Sequence, residues 1–314
     1  MRRLGYLEDA LASYTCAVEL DHKHDWAWSG RGLTLSQMKR HEDALFCFQK
    51  ALELNKNDVW YWYNLADEQQ NLGQLTEALA SLDEALRLDS GHVESWAKRG
   101  QALRRLNQHA EAMTAFDLAV QLNPRYAWAW NGRGLTLKEM GRREEALASY
   151  ERAAQEDASV VWYYINQVDI LLDFQRKEDA LKVIDKAIGV SRINPTAWAR
   201  RGQTLRRLRR FDEAIQSYDR ALELDKRYAW AWNGKGLCLS ALERWDEALE
   251  CYKIAVEYDK RDVWFWFNYG DTLFQLGDNA EAESMLAQAL KLNPNHQPTI
   301  EKLSMVREKL KEHE

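Results

Sequence analysis

The side chains with which this chain could do chemistry are His, Cys and a recurring set of Trp, Asn, Asp and Arg. The seven His (His22, His24, His41, His92, His109, His296, His313) form no H-E-x-x-H pair, and the chain has no Gly-rich phosphate loop or nucleophile elbow. The four Cys (Cys16, Cys47, Cys238, Cys251) make no C-x-x-C pair and have no metal-ligand spacing to His. Each lies in an apolar helical stretch, where a thiol acts as a small buried hydrophobe. The expectation is therefore a non-enzyme with no metal and no cofactor, in a reducing compartment. What remains is recognition chemistry. Trp60, Tyr63, Asn64 and Asp67 recur 102 residues on as Trp162, Ile165, Asn166 and Asp169, and again as Trp264, Phe267, Asn268 and Asp271. Lys98, Gln101, Arg104 and Arg105 recur as Arg200, Gln203, Arg206 and Arg207. Trp128, Asn131, Leu135 and Lys138 are followed by Trp230, Asn233 and Leu237. Asn can hold the backbone of an extended peptide through paired amide bonds. Arg offers carboxylates a bidentate fork, and Trp and Arg are enriched at binding hot spots.

The elements that must position these groups are set by a shorter period. From Asp25 the chain repeats every 34 residues, through Val59, Val93, Ala127, Val161, Pro195, Ala229 and Val263. With each of these as slot one, slot four reads Trp28, Trp62, Trp96, Trp130, Tyr164, Trp198, Trp232, Trp266. Slot eight is Gly in six of the eight units, with Ala66 and Val168 in the others, and slots twenty and twenty-seven are Ala throughout. The pattern predicts two antiparallel helices per unit, joined by a turn that often holds Gly (Gly73, Gly141, Gly277). Small residues at slots eight and twenty let the two helices approach. The slot-four aromatic and the large residue at slot twenty-four (Phe48, Phe116, Tyr150, Tyr218, Tyr252) fill the space beside them. One such pair cannot bury its own apolar face, so neighbours must stack. Val168, with Tyr164 and Ile184 in the same unit, is expected to widen that pair.

This pattern resembles the tetratricopeptide repeat family, whose W…LG…Y…A…F…A…P signature has the same period, and the resemblance runs over nearly the whole chain. It implies an all-α, right-handed superhelical solenoid with a concave groove lined by the first helix of each unit, and it implies peptide or protein binding. The expected layout is a half repeat at 1–24 (second helix only), eight repeats at 25–296 and a capping helix at 297–314. The cap carries Ile300, Leu303 and Val306 on one face. The N-terminal end lacks its first helix, which suggests missing upstream sequence or docking onto a partner or a second copy. Chaperone-adaptor members of the family clamp a C-terminal carboxylate. Here Asn166 and Arg200 match that clamp, while Asn131, Leu135 and Thr196 do not; Asn64 and Lys98 match, while Ser29, Leu33 and Glu94 do not. The Asn ladder of the sugar-transferring members is also only partial.

The length of 314 residues suits two domains or one elongated array, and 4 Pro with 15 Gly favour helices. A net charge of −6 makes the whole molecule no magnet for nucleic acid or anionic membrane. No signal peptide and no run of about 18 apolar residues is present, so the expectation is a cytoplasmic chain with no membrane partner. By helical spacing, slots two, five, six, nine and twelve to thirteen of the first helices share one face. The resemblance makes that face the groove, with Trp60, Tyr63, Asn64, Asp67, Lys98, Gln101, Arg104, Trp128, Asn131, Trp162, Asn166, Asp169, Arg200, Gln203, Arg206 and Arg207 as candidate ligand-binding residues. Structural readings stand beside these. The slot-two Trp could line the core, Asp169 could pair with Arg200 or Arg206, and the Gly at slot six (Gly30, Gly132, Gly234) could admit a ligand or only a neighbouring helix.

The resulting expectation is a non-catalytic scaffold or adaptor that holds an extended, acidic peptide or protein in the groove. Two alternatives remain open: single-stranded RNA stacked on the Trp and Arg side chains, and the recognition arm of a larger enzyme lying upstream. Self-association through the N-terminal end is a further expectation. The 102-residue triplet reads either as duplication history or as a match to a periodic ligand.

Overall fold

In the computed structural model, residues 6–311 are described, and among them eighteen α-helices and no strand are found. They fall into two compact units divided between Asp157 and Ala158. The first unit holds α1 (Leu7–Leu20), α2 (Asp25–Gln37), α3 (His41–Leu54), α4 (Val59–Asn71), α5 (Leu75–Leu88), α6 (Val93–Arg105), α7 (His109–Leu122), α8 (Ala127–Glu139) and α9 (Arg143–Glu156). The second holds α10 (Val161–Asp173), α11 (Lys177–Val190), α12 (Pro195–Arg207), α13 (Phe211–Leu224), α14 (Ala229–Ala241), α15 (Trp245–Tyr258), α16 (Val263–Leu276), α17 (Asn279–Leu292) and α18 (Gln297–Lys311). Within each unit every helix packs on the next, and alternate first helices also touch, as α6 does α8 and α12 does α14. The architecture is an all-α repeat solenoid.

Helix pairs close through the small slots. The Ala at slots twenty and twenty-seven, such as Ala112, Ala119, Ala214 and Ala221, are fully buried. The slot-twenty-four ring lies flat against the slot-eight Gly of its own pair. A Cβ at Gly100 would meet Phe116 at 2.9 Å, and one at Gly202 would meet Tyr218 at the same distance. These rings are the largest fully buried side chains among the described residues. Where slot eight is larger, slot twenty-four is smaller: Ala66 faces Leu82, and Val168 is buried with Ile184. The volume added at Val168 is thus offset by the ring that is missing at Ile184.

The slot-four Trp does something other than fill the core. Its ring is only partly buried, and its indole N–H donates to a carbonyl six residues back, in the loop before the helix. Trp96 Nε1 donates to the Ser90 carbonyl at 2.8 Å, Trp130 to Pro124, Trp198 to Arg192 and Trp232 to Lys226. Tyr164 keeps the function through its hydroxyl, which reaches the Ala158 carbonyl at 3.3 Å. Except before α12, where Ser191 stands, that loop opens with Asp or Asn, whose side chain accepts the N–H two residues on, as in Asp89 with Gly91 and Asp225 with Arg227. Such Asx turns fix the chain reversal. A polar handle on an apolar ring is what Trp supplies at this site, and it accounts for half of the fourteen Trp.

The tight turns inside the pairs need one residue with positive φ. Gly73, Gly141 and Gly277 supply it as the sequence suggested, but Lys39, Asn107, Gln175, Arg209 and Glu243 adopt φ of 60–62° at the corresponding places.

Candidate binding face on the first helices

The face shared by slots two, five, six and nine has partly committed chemistry. In the first unit Trp60 stands half exposed at the start of α4, its ring edge-on to His92 (4.6 Å between centroids) and to Tyr63 (5.6 Å). His92 belongs to the loop before α6, so the Trp both shows a face to solvent and rests on its neighbour. Tyr63 is partly buried, and burial raises its hydroxyl pKa. Asn64, Gln101 and Asn131 are also partly buried on α4, α6 and α8. Lys98 on α6 is tied inward: its Nζ lies 2.6 Å from Asp67 Oδ1 and 5.2 Å from the centre of the Trp128 ring. Arg104 pairs with Glu139 at the end of α8. Arg105 donates to the Gln70 carbonyl at 2.8 Å.

The second unit repeats the plan with changes. Trp162 on α10 is half exposed, with Asn166 and Asp169 on the same helix partly buried. Ile165, expected on the face, is buried in the core instead, because an aliphatic side chain at slot five turns toward the apolar interior. Arg200 on α12 lies 3.3 Å from Asp169, donates to Gln203 Oε1 at 2.9 Å and covers the Trp230 ring at 5.1 Å. Arg207 donates to the Leu172 carbonyl at 3.3 Å. Asn268 Nδ2 donates to Asn233 Oδ1 at 2.8 Å, joining α16 to α14. The slot-six Gly proves to be a packing device: a Cβ at Gly234 would come within 2.4 Å of the Tyr218 ring, and one at Gly132 equally close to Phe116.

Between α12, α14 and α16 this face opens into a cavity of about 610 Å³. Its walls include Gln203, Arg206, Arg207, Trp230, Asn233, Leu237, Trp264 and Asn268, with the Tyr218 ring at its floor beside Gly234. Burial raises the Tyr218 hydroxyl pKa, against the pull of the Arg206 and Arg200 guanidinium groups. Asp262 stands at the rim, its Oδ1 accepting the Trp264 N–H at 2.8 Å to cap α16. Of the candidate ligand-binding residues, the structure brings Gln203, Arg206 and Arg207 together here, with the recurring Trp230, Asn233, Leu237, Trp264 and Asn268; Trp162, Asn166, Asp169 and Arg200 lie on α10 and α12, and the rest on α4, α6 and α8 of the first unit. Tyr218 and Asp262 were not legible as members, since an aromatic at slot twenty-four reads as core and Asp before a helix reads as a cap.

Among the described residues there is no group of His, Cys, Asp and Glu arranged to hold a metal, and no helix is long and apolar enough to cross a membrane. Stacked helix pairs of this length, with Gly, Ala and aromatic positions in register, define a class of α-solenoid interaction proteins. The chain belongs to the tetratricopeptide repeat family: models of that repeat match residues 26–58, 63–127, 131–197, 194–261 and 227–295. No curated protein sequence matches it. Among solved structures, the APC/C hetero-tetramer Cut9–Hcn1 is similar over 91% of this chain and 56% of its own, with a TM-score of 0.65 and 16% identity, which shows a common fold. This chain therefore spans about half the length of that relative. YrrB, a TPR protein with an unusual peptide-binding site, is similar over 60% of this chain and 98% of its own (TM-score 0.47, 24% identity). MamA is similar over 54% and 92% (TM-score 0.48, 18% identity).

Proposed function

We propose that this chain is a non-catalytic scaffold that holds an extended peptide or protein segment against the first-helix face. The observation that carries this reading is the cavity between α12, α14 and α16, which opens on that face and is walled by Trp230, Trp264, Asn233, Asn268 and Arg206. The half-exposed Trp60, Trp162 and Trp264 support it, because large apolar rings left partly in water at a fixed interval suit a partner that covers them. A nucleic-acid backbone is less well served. It requires cations free to replace counterions, and Lys98, Arg200 and Lys302 on these helices are each held by an Asp.

The test is affinity capture from native extract with the purified chain beside a Trp264→Ala, Arg206→Ala variant, with a nuclease-treated arm. A protein bound by wild type and lost in the folded variant is the expected result. A protein retained equally by both would move the site off this face. A signal that vanishes with nuclease would put nucleic acid in place of a peptide.

A further inference from the structure

The triplet repeat supplies an internal comparison for the cavity. Residue for residue at a spacing of 102, Arg104 corresponds to Arg206, Glu139 to Ala241 and Phe116 to Tyr218. In the first unit the Arg104 guanidinium is neutralised by Glu139 across the α6–α8 contact. In the second unit the same arginine faces the same neighbouring helix, but Ala241 ends α14 where the carboxylate stood. Arg206 has no ion-pair partner among the described residues, and its Nε is shielded from solvent with no hydrogen-bond acceptor. A guanidinium N–H removed from water without an acceptor carries a desolvation penalty that a ligand oxygen would relieve.

The other charged groups around the cavity each have a polar partner. Arg200 is taken by Asp169 and Gln203, Arg207 gives an N–H to the Leu172 carbonyl, and Asp262 caps α16. Arg206, which hydrogen-bonds the neutral Tyr218 hydroxyl, thus keeps a charge that no carboxylate neutralises, beside neutral amides and apolar rings. We infer that the cavity is a subsite for a carboxylate side chain of a bound acidic peptide, seated on Arg206, with an apolar neighbour of that residue against Trp230, Leu237 and Trp264. Arg206 and Arg207, neither paired with a carboxylate, together with Asp262 at the rim leave one net positive charge, which matches a single carboxylate; a phosphate dianion would call for further cations. The inference rests on the peptide-holding reading above and adds the chemistry of the segment held.

The test uses the full chain and pooled short peptides, rich in Leu and Trp, whose central residue is fixed as Glu, Gln or phosphoserine. Binding is read by fluorescence anisotropy, and thermal unfolding checks each variant. Wild type should bind the Glu pool about tenfold more tightly than the Gln pool. Arg206→Gln should abolish that preference. Ala241→Glu should do the same with Arg206 intact, by restoring the ion pair of the other copy; position 241 is exposed, so the substitution displaces nothing in the core. A Glu preference that is absent from wild type, or that survives both variants, would overturn the carboxylate subsite while the peptide-holding face stands. A phosphoserine pool bound more tightly than the Glu pool would overturn the carboxylate in favour of phosphate. If wild type binds none of the pools, both readings fall.

Discussion

Lys98 Nζ lies 2.6 Å from Asp67 Oδ1, and the same two positions are occupied by Arg200 with Asp169 at 3.3 Å and Lys302 with Asp271 at 2.7 Å. In the first two copies the cation also covers the Trp of the following first helix, Trp128 or Trp230. One side chain thus ties together three successive first helices. Residues that look like ligand-reading charge are partly spent on holding neighbours in register, and this narrows the free cations on the face.

The first prediction concerns that tie. Asp169 and Arg200 are both largely shielded, so removing one charge strands the other in a medium poorer than water. Asp169→Asn should lower stability by about 1 kcal/mol, and a double-mutant cycle with Arg200→Gln should return a coupling of similar size. Urea denaturation measures both. A cycle with zero coupling would leave the pair no role in register.

Two glycines predict opposite signs for one substitution. A Cβ at Gly234 would come within 2.4 Å of the Tyr218 ring, which is locked in the core, so Gly234→Ala should destabilise by about 1–3 kcal/mol. Gly189 is the next-to-last residue of α11, with nothing within 4 Å of its would-be Cβ. Gly189→Ala should therefore stabilise, by up to about 0.5 kcal/mol, through helix propensity in the last turn. Thermal unfolding of the two variants side by side decides the matter.

How far the sequence could be read follows from the same contacts. The Gly, Ala and ring positions at slots eight, twenty and twenty-four announce the helix pair because each is dictated by a neighbour at fixed spacing. Trp96 and its equivalents announce a position but not a role. Their rings suggested buried filler, whereas the N–H on the Ser90 carbonyl makes them loop fasteners, so the loss on truncation should fall below that of a fully buried ring. The positive φ at Gln175 and Arg209 had no signal, because those turns are imposed by the stacked helices rather than by local preference. On the candidate face, Arg104 and Arg206 look alike in sequence. Their difference lies in Glu139 and Ala241, which are some 35 residues further along and meaningful only once α8 and α14 are placed.

A pH dependence should arise at His92. Its Nδ1 accepts the Ser95 N–H at 3.2 Å and caps α6, and its ring is buried against Trp60. Burial lowers its pKa from the usual 6.5, against the opposing pull of Glu94 and Asp89. The unfolded chain therefore binds this proton at a higher pH than the folded one. The contribution of His92 is fully present above the unfolded value and is lost as pH falls through the lower, folded value. His92→Asn copies Asn194, which caps α12 by accepting the Ala197 N–H at 3.0 Å. Urea midpoints measured between about pH 5 and 7 should fall less steeply for the variant than for wild type; equal slopes would remove His92 as the cause.

The pairing of slots eight and twenty-four gives the strongest test of why unit 161–194 tolerates its odd residues. Val168 and Ile184 are both buried without residual exposure, where five other units place Gly under an aromatic ring. Val168→Gly alone removes a branched side chain and puts glycine in a helix, and should cost about 2–3 kcal/mol. Ile184→Phe alone forces a ring toward the Val168 methyls and should cost about 1–3 kcal/mol. Made together, they recreate the arrangement of Gly100 with Phe116, so the double variant should be more stable than the sum of the two losses by at least about 1 kcal/mol. Additive losses in urea denaturation would mean that the two positions do not share one volume, and the compensation read from their burial would be wrong.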